Sequence, residues 1–321
     1  MRVLVTGMGG ELGTRVAQLL EADPSVTEIA GVDFVPPRRR LRRAEFHRID
    51  PMQHDRMRDF VLEFAPTAVA HFGVYEPASR LGPAQAAERT EHCTIVALSA
   101  AARAGKLERV VLRSGLEVYG RGRGAASVPD EQVPPEPTTP YGQTLLQVEA
   151  VAAGLGRRHG VSVASLRYAP VVGSHVPSPI GRLLRLPVVP VSATSDPPFQ
   201  LLHPEDACVA MVRALIVGFD GPLNIVGAGA ASPWQAVRMG GRLPLPVMPG
   251  LWGWAARVVE VAGAAIAPHV VELLRSGCTG SGQRALDALS IEEPRSTQQV
   301  LTELYQWADI VPLIPAKEAV A

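Results

Sequence analysis

The chain of 321 residues has little cysteine and still less lysine. Cys93, Cys208 and Cys278 lie far apart and form no CxxC pair. That argues against a disulfide framework and against a zinc ribbon, and it fits a reducing, cytoplasmic setting. Lysine occurs only as Lys106 and Lys317, so nearly all the basic charge is arginine. Neither sign of charge prevails, because Lys+Arg and Asp+Glu each total 31. Without a net field, nothing steers the chain toward nucleic acid or an anionic membrane. The 8 histidines form no HxH or HExxH pattern, so no metal site is expected. The most apolar late stretch, 255–267, carries Arg257 and Glu260 and stops at Pro268, too short and too charged to span a bilayer. The chain opens directly on the strand-like run MRVLVTG, which predicts no secretory leader.

What is present is alternation. Short β-branched runs at 2–6, 28–33, 68–72, 109–113, 161–167 and 222–226 read as strands. Helical patterns at 12–20, 55–63, 84–104 and 141–158 lie between them, the signature of βαβ units. Runs such as AVAHF are continuously apolar, as strands buried on both faces are. The expected fold is α/β: a Rossmann-type, doubly wound parallel sheet with a smaller C-terminal lobe. Past about Tyr168 the pattern loosens into VPSPIG, PVVPV and SDPPF. The reading divides the chain into 1–170, a dinucleotide-binding domain to which 200–226 returns, and 171–321, mainly a substrate-binding lobe. Residues 315–321 read as a frayed tail.

The first strand runs into Gly7-Met8-Gly9-Gly10-Glu11-Leu12-Gly13 and then a helix. In a GxxGxxG turn the first glycine permits the tight bend, the second lets backbone approach a diphosphate, and the third seats the helix on the strand. The diphosphate then meets free N–H groups and the positive end of the helix dipole. Asp33 ends the next strand, where a carboxylate accepts hydrogen bonds from an adenosine ribose and repels a 2′-phosphate. These features predict a nicotinamide dinucleotide held by Gly7, Met8, Gly10, Glu11, Leu12, Gly13 and Asp33. Asp33 favours NAD. The following Arg38, Arg39, Arg40, Arg42 and Arg43 leave NADP as the alternative, unless they form a solvated face.

With TGxxGxLG at its start, the chain resembles the extended short-chain dehydrogenase/reductase family, in particular the nucleotide-sugar epimerases and dehydratases. His71-Phe72-Gly73-Val74 with Pro77 is similar to that family's HLAA…P segment, and Asp50 sits where the family places an aspartate against the adenine. Ser114 to Gly120 (SGLEVYG) resembles its SSxxVYG segment, and Pro140-Tyr141-Gly142 the start of its PYxxSK segment. Leu166 to Gly173, Leu202 to Asp206 and Asn224-Ile225 resemble its later motifs, and 289–307 its C-terminal helix pair. The resemblance implies that Asp50, Phe72, Gly73, Val74 and Tyr141 also line the cofactor. It also implies that Tyr141 exchanges a proton with a sugar hydroxyl during transient hydride transfer to NAD.

The family's catalytic set is incomplete here. A lysine four residues after the tyrosine favours the tyrosinate, and a Ser or Thr hydrogen-bonds the same substrate oxygen. This chain has Leu145 and Gly115 at those positions, with Ser114 one residue earlier. An unperturbed tyrosine titrates at about 10 and is a poor base without a nearby cation. Arg121, Arg123 and Arg167 are the candidate substitutes. Tyr141 is either catalytic or a ring packed along the pocket. Ser114 either donates to a substrate oxygen or satisfies strand-end backbone groups. Glu117 stands at the position of the dehydratase branch's glutamate, but its neighbour is Leu116, and it reads as a structural or pocket residue. Asp206 is expected to cap a helix next to His203, His71 to be a core histidine, and Thr90 to tie a helix to the sheet with reduced reach. Cys93, Thr94, Ala97 and Ala100–Ala102 make a small-residue face, for a homodimer or for packing on the sheet. Arg182, Arg185, Arg238 and Arg242 are the candidate cations for a substrate diphosphate, and Trp252 and Trp254 for an apolar ligand or a lobe interface. Three functions stay open: an NAD-dependent enzyme on a nucleotide sugar, a reductase of non-sugar carbonyls, and an NAD(H)-binding sensor or scaffold without turnover.

Overall fold

The structure, a computed structural model, describes residues 1–261 and 263–306. The expectations for Trp307, Lys317 and the tail 315–321 lie outside the described residues. The strands are β1 (Arg2–Thr6), β2 (Glu28–Asp33), β3 (Glu45–Arg48), β4 (Ala68–His71), β5 (Arg109–Gly115), β6 (Ser162–Tyr168), β7 (Val188–Ser192), β8 (Gly221–Ile225) and β9 (Leu243–Val247). The helices are α1 (Glu11–Glu21), α2 (His54–Phe64), α3 (Pro83–Arg103), α4 (Pro140–His159), α5 (Pro179–Leu184), α6 (Pro204–Val217), α7 (Pro233–Met239), α8 (Trp252–Val261), α9 (Pro268–Ser276), α10 (Gln283–Leu289) and α11 (Thr297–Tyr305).

Seven strands form one parallel sheet in the order β3-β2-β1-β4-β5-β6-β8. Strand order reverses between β1 and β4, and a doubly wound sheet opens its ligand crevice at such a switch point. The apolar runs Val3–Val5, Ala68–Ala70 and Val110–Leu112 are all buried, as strands covered on both faces must be. α1 packs with α6, while α2, α3 and α4 pack in a row. The small-residue face of α3 is spent on this packing: Cys93, Thr94, Ala97 and Ala100–Ala102 are buried within the single chain.

Two elements depart from the sequence reading. β3 is the strand that the resemblance implies before Asp50, but it ends at Arg48, and EFHR at the sheet edge carries no apolar run of its own. The segment expected to return at 200–226 begins with only a single bridge between Val171 and Leu202, while α6 and β8 lie on the main sheet.

The loosened second half is punctuated rather than irregular. Proline opens α5, α6, α7 and α9, as it opens α3 and α4, and a first-turn proline loses no helical hydrogen bond. Ser232 and Ser296 form capping boxes with Gln235 and Gln299. β7 and β9 make a two-stranded parallel sheet that tolerates Pro190, Pro244 and Pro246 because each strand has one free edge. Asp206 does not cap α6. His203 does, accepting from the Glu205 N–H, because the helix begins at Pro204, two residues earlier than Asp206.

Candidate functional site

The phosphate loop is built around missing side chains. Gly7 has φ +72°, and a Cβ on it would sit 2.6 Å from the Phe72 carbonyl oxygen. A Cβ on Gly13 would come within 2.2 Å of the Gly7 carbonyl, so α1 lies against the turn only if residue 13 is bare. Gly10 differs. Its φ is −70°, and a Cβ there would meet only the Gly7 oxygen, at 3.4 Å. Nothing within the protein requires a glycine at 10. The space belongs to whatever approaches the first turn of α1, whose N-cap is Gly10 itself.

A groove runs from this loop along the switch point, lined by Gly7, Gly10, Glu11, Leu12, Gly13, Asp33, Phe72 and Val74 of the predicted residues. Sequence reasoning missed Phe34, Val35, Tyr75, Glu76, Arg80 and Arg113, which also line it. Phe34 and Val35 directly follow the strand-end acid, so their position was a usable signal. Met8, Gly73, Asp50 and Tyr141 do not line the groove. Met8 is a core side chain wedged over Gly31, and Gly73 seats Cys93. Asp50 Oδ1 takes the Arg89 guanidinium at 2.7 Å, and Arg89 stacks over the Phe34 ring.

The Asp33 carboxylate accepts from the Gly9, Phe34 and Val35 N–H groups at 3.0, 2.7 and 3.4 Å. Burial pushes its carboxyl up, and those three N–H groups and Arg80 work the other way. Two arginines of the run are held by protein groups. Arg39 pairs with Glu11 at 3.0 Å, and Arg43 donates to the Leu20, Glu21 and Val26 carbonyls. Glu11 in turn accepts from Arg15, which reaches Glu205 of α6, and Glu205 meets Arg295 ahead of α11. The groove therefore fits a dinucleotide: a bare turn for the diphosphate at one end of a helix, and an acid for a ribose at the end of β2.

The motif residues that follow form a buried polar network instead of a substrate site. Ser114 Oγ donates to Glu149 Oε1 at 2.6 Å rather than to strand-end backbone. That corrects its expected role. Glu149, on α4, also takes Arg167 through two hydrogen bonds at 2.7 and 3.0 Å. Arg167 donates to Tyr119 Oη, and Tyr119 donates to Asn224. Arg167 thus cannot serve Tyr141, and Arg121 is bound to the Thr279 carbonyl. His71 is the expected core residue, with Thr6 and Thr94 as its partners, and burial pulls its imidazole down to about 4. Thr90 Oγ1 does tie the loop after β4, accepting from the Tyr75 N–H. Of the second-lobe candidates, Arg182 holds the Ala78 and Ser79 carbonyls, Arg238 stacks on Trp234, and Trp252 is buried while Trp254 is exposed.

Tyr141 is the second residue of α4, whose N-cap Thr139 accepts from the Gly142 N–H. Its ring is buried against His269 of α9, with centroids 4.7 Å apart. Leu145 is fully buried where the family has lysine. A Cβ on Gly115 would fall 2.2 Å from Glu117 Oε2 and 3.1 Å from Leu145, so the Glu117 carboxylate fills the space of the missing hydroxyl side chain. Burial pushes the Tyr141 phenol far above its ordinary range, Glu76 and Glu117 add to the rise, and Arg113 alone opposes it. Arg113 stands on the groove floor, 3.5 Å from both the Val74 carbonyl and Glu76 Oε2. The cation at this end is therefore Arg113, two residues before Gly115.

Burial also raises the Glu117 carboxyl, with His269 and Arg113 pulling it down and Glu76 adding to the rise. A carboxyl raised on folding adds stability at low pH and loses it as pH climbs from 4.5, its unfolded value, through the folded one. Glu117→Gln is expected to flatten that decline, so the denaturation midpoint of the variant should gain on the parent as pH rises from acid to neutral.

The fold and the groove together define a dinucleotide-binding α/β protein with an acid/base cluster at one end. The chain belongs to the NAD dependent epimerase/dehydratase family, whose model matches residues 3–225. It is 33% identical over 290 residues to an uncharacterized protein of Mycobacterium tuberculosis, covering 85% of this chain and 73% of that one. Its fold matches UDP-glucose 4-epimerase of Thermotoga maritima with UDP-glucose, at TM-score 0.73 and 20% identity, covering 95% and 98% of the two chains. It also matches the Thermus thermophilus UDP-glucose 4-epimerase complex with NAD, at TM-score 0.71 and 20% identity over 95% and 99%. Among the described residues no group of His, Cys, Asp or Glu could hold a metal ion, and no helix is long and apolar enough to cross a membrane.

Proposed function

We propose that this protein holds NAD in the switch-point groove and uses it to oxidise, and then to reduce again, a hydroxyl of a nucleotide sugar. The observation that carries the reading is Arg113. It keeps a fixed cation beside Tyr141 and Glu76 where the family's lysine is lost. NAD, when bound, supplies a reversible hydride acceptor. The chain's own residues do the rest. Asp33 orients the adenosine ribose and disfavours a 2′-phosphate. The α1 terminus and its bare turn bind the diphosphate. Tyr141, kept a phenol by burial, donates a hydrogen bond to the reacting oxygen. We also place the protein in the cytoplasm, on its three free and buried cysteines. We read it as a homodimer through the outer faces of α3 and α4, where Ile95 and Val151 are exposed.

A second reading, an NAD(H) binder without turnover, is favoured by Leu145 and by the cover that α9 places over Tyr141. The two are separated by mixing the NAD-loaded protein with UDP-glucose, UDP-glucuronic acid or dTDP-glucose and following reduced-nicotinamide absorbance. The enzyme reading expects reduction with one of them. Tight NAD binding with no reduction by any of them would leave the binder.

A further inference from the structure

Behind this end of the groove, in a separate pocket shared with Glu117 and Glu272, the second half of the chain places a histidine. His269 lies on α9, is buried, and packs against Tyr141 with the ring planes tilted at 44°. Its Nε2 is 3.3 Å from Glu76 Oε1, and Glu76 belongs to the groove floor beside Arg113. Its Nδ1 is buried and has no hydrogen-bond partner. A carboxylate only accepts, so Nε2 carries the proton and Nδ1 presents a lone pair. A buried polar atom left unpaired carries a desolvation penalty, which is removed when a ligand brings a donor to it.

We propose that His269 Nδ1 accepts the proton of the substrate hydroxyl, with Glu76 as its positioning partner; this rests on the hydride-transfer reading above. In the oxidative step the carbinol C–H bond breaks and its electron pair leaves as hydride for NAD. The O–H bond breaks as its proton moves to Nδ1, and the electrons of that bond become the second bond of the C=O group. His269 is then an imidazolium between Glu76, from the loop after β4, and Glu117, from the turn after β5. The reverse step returns the same proton. Arg113 of β5, Tyr141 of α4 and Glu272 of its own helix complete the charged and titratable surroundings. This arrangement accounts for the missing lysine. With the base supplied by the second lobe, Tyr141 need only be a phenol, and a phenol needs no lysine to ionise it.

The test uses the full chain loaded with NAD, with nitrogen-labelled histidine and with His269→Asn to identify the resonance. The expected spectrum shows Nε2 protonated and Nδ1 bare at neutral pH, with Glu76→Gln shifting that tautomer balance. The expected kinetics, with the sugar nucleotide that reduces the parent, are an about 100-fold slower reduction in His269→Asn. Its NAD affinity should be unchanged, and the decline in rate toward acid pH should be lost. A proton on Nδ1 at neutral pH, or an unchanged rate and pH profile in His269→Asn, overturns the role of His269 while leaving the enzyme reading intact. An unreduced parent overturns the enzyme reading, and this role with it.

Discussion

Truncating Glu149 to alanine is expected to lower the unfolding free energy by about 3–5 kcal/mol, because it strands the buried Arg167 guanidinium without its carboxylate. Burial opposes the Arg167 charge, and Glu149 more than offsets that opposition, so the guanidinium stays charged at every working pH. Ser114 loses its acceptor in the same variant, and Tyr119 and Asn224 lose the anchor of their chain. The double replacement Glu149→Leu with Arg167→Met should cost less than Glu149→Ala alone, since a neutral pair leaves no charge in the interior. Denaturant unfolding of the two single variants and the double variant measures the coupling. A Glu149→Ala loss below about 1 kcal/mol would mean that water reaches Arg167.

The second large effect separates binding from folding within one loop. Gly10→Val should melt near the parent temperature and lose NAD affinity by about 100-fold or more, read by calorimetry. The residue is extended and unobstructed by protein, while its side chain would stand where a diphosphate must approach. Gly13→Val should lose both properties, because its Cβ collides with backbone at 2.2 Å and pushes α1 off β1. Equal NAD affinity in Gly10→Val and the parent would remove the dinucleotide from this loop altogether.

The parts of this molecule that could be read from sequence are those written in adjacent residues. The phosphate loop, Asp33 and the buried parallel strands are local patterns, and the helices over 84–104 and 141–158 fell within one residue of α3 and α4. β3 was legible only through the resemblance around Asp50, because an edge strand needs no apolar alternation. The site's polar chemistry escaped for a different reason. Ser114 meets Glu149 35 residues away, and Glu76 meets His269 193 residues away, so no window along the chain contains either pair. Arg113 was visible but sat two positions before the motif residue that drew attention. The prolines of the second half held a signal that was read only as disruption: Pro179, Pro204, Pro233 and Pro268 stand at helix starts.

The Arg39–Glu11–Arg15–Glu205–Arg295 chain has a consequence for how the molecule moves. It moors the helix that greets the cofactor to α6, and α6 to the segment leading into α11. A displacement of α1 is thereby shared with α6 and with the segment before α11, whereas α9 answers to a different set of partners, Glu76 through His269 and Thr138 through Glu272.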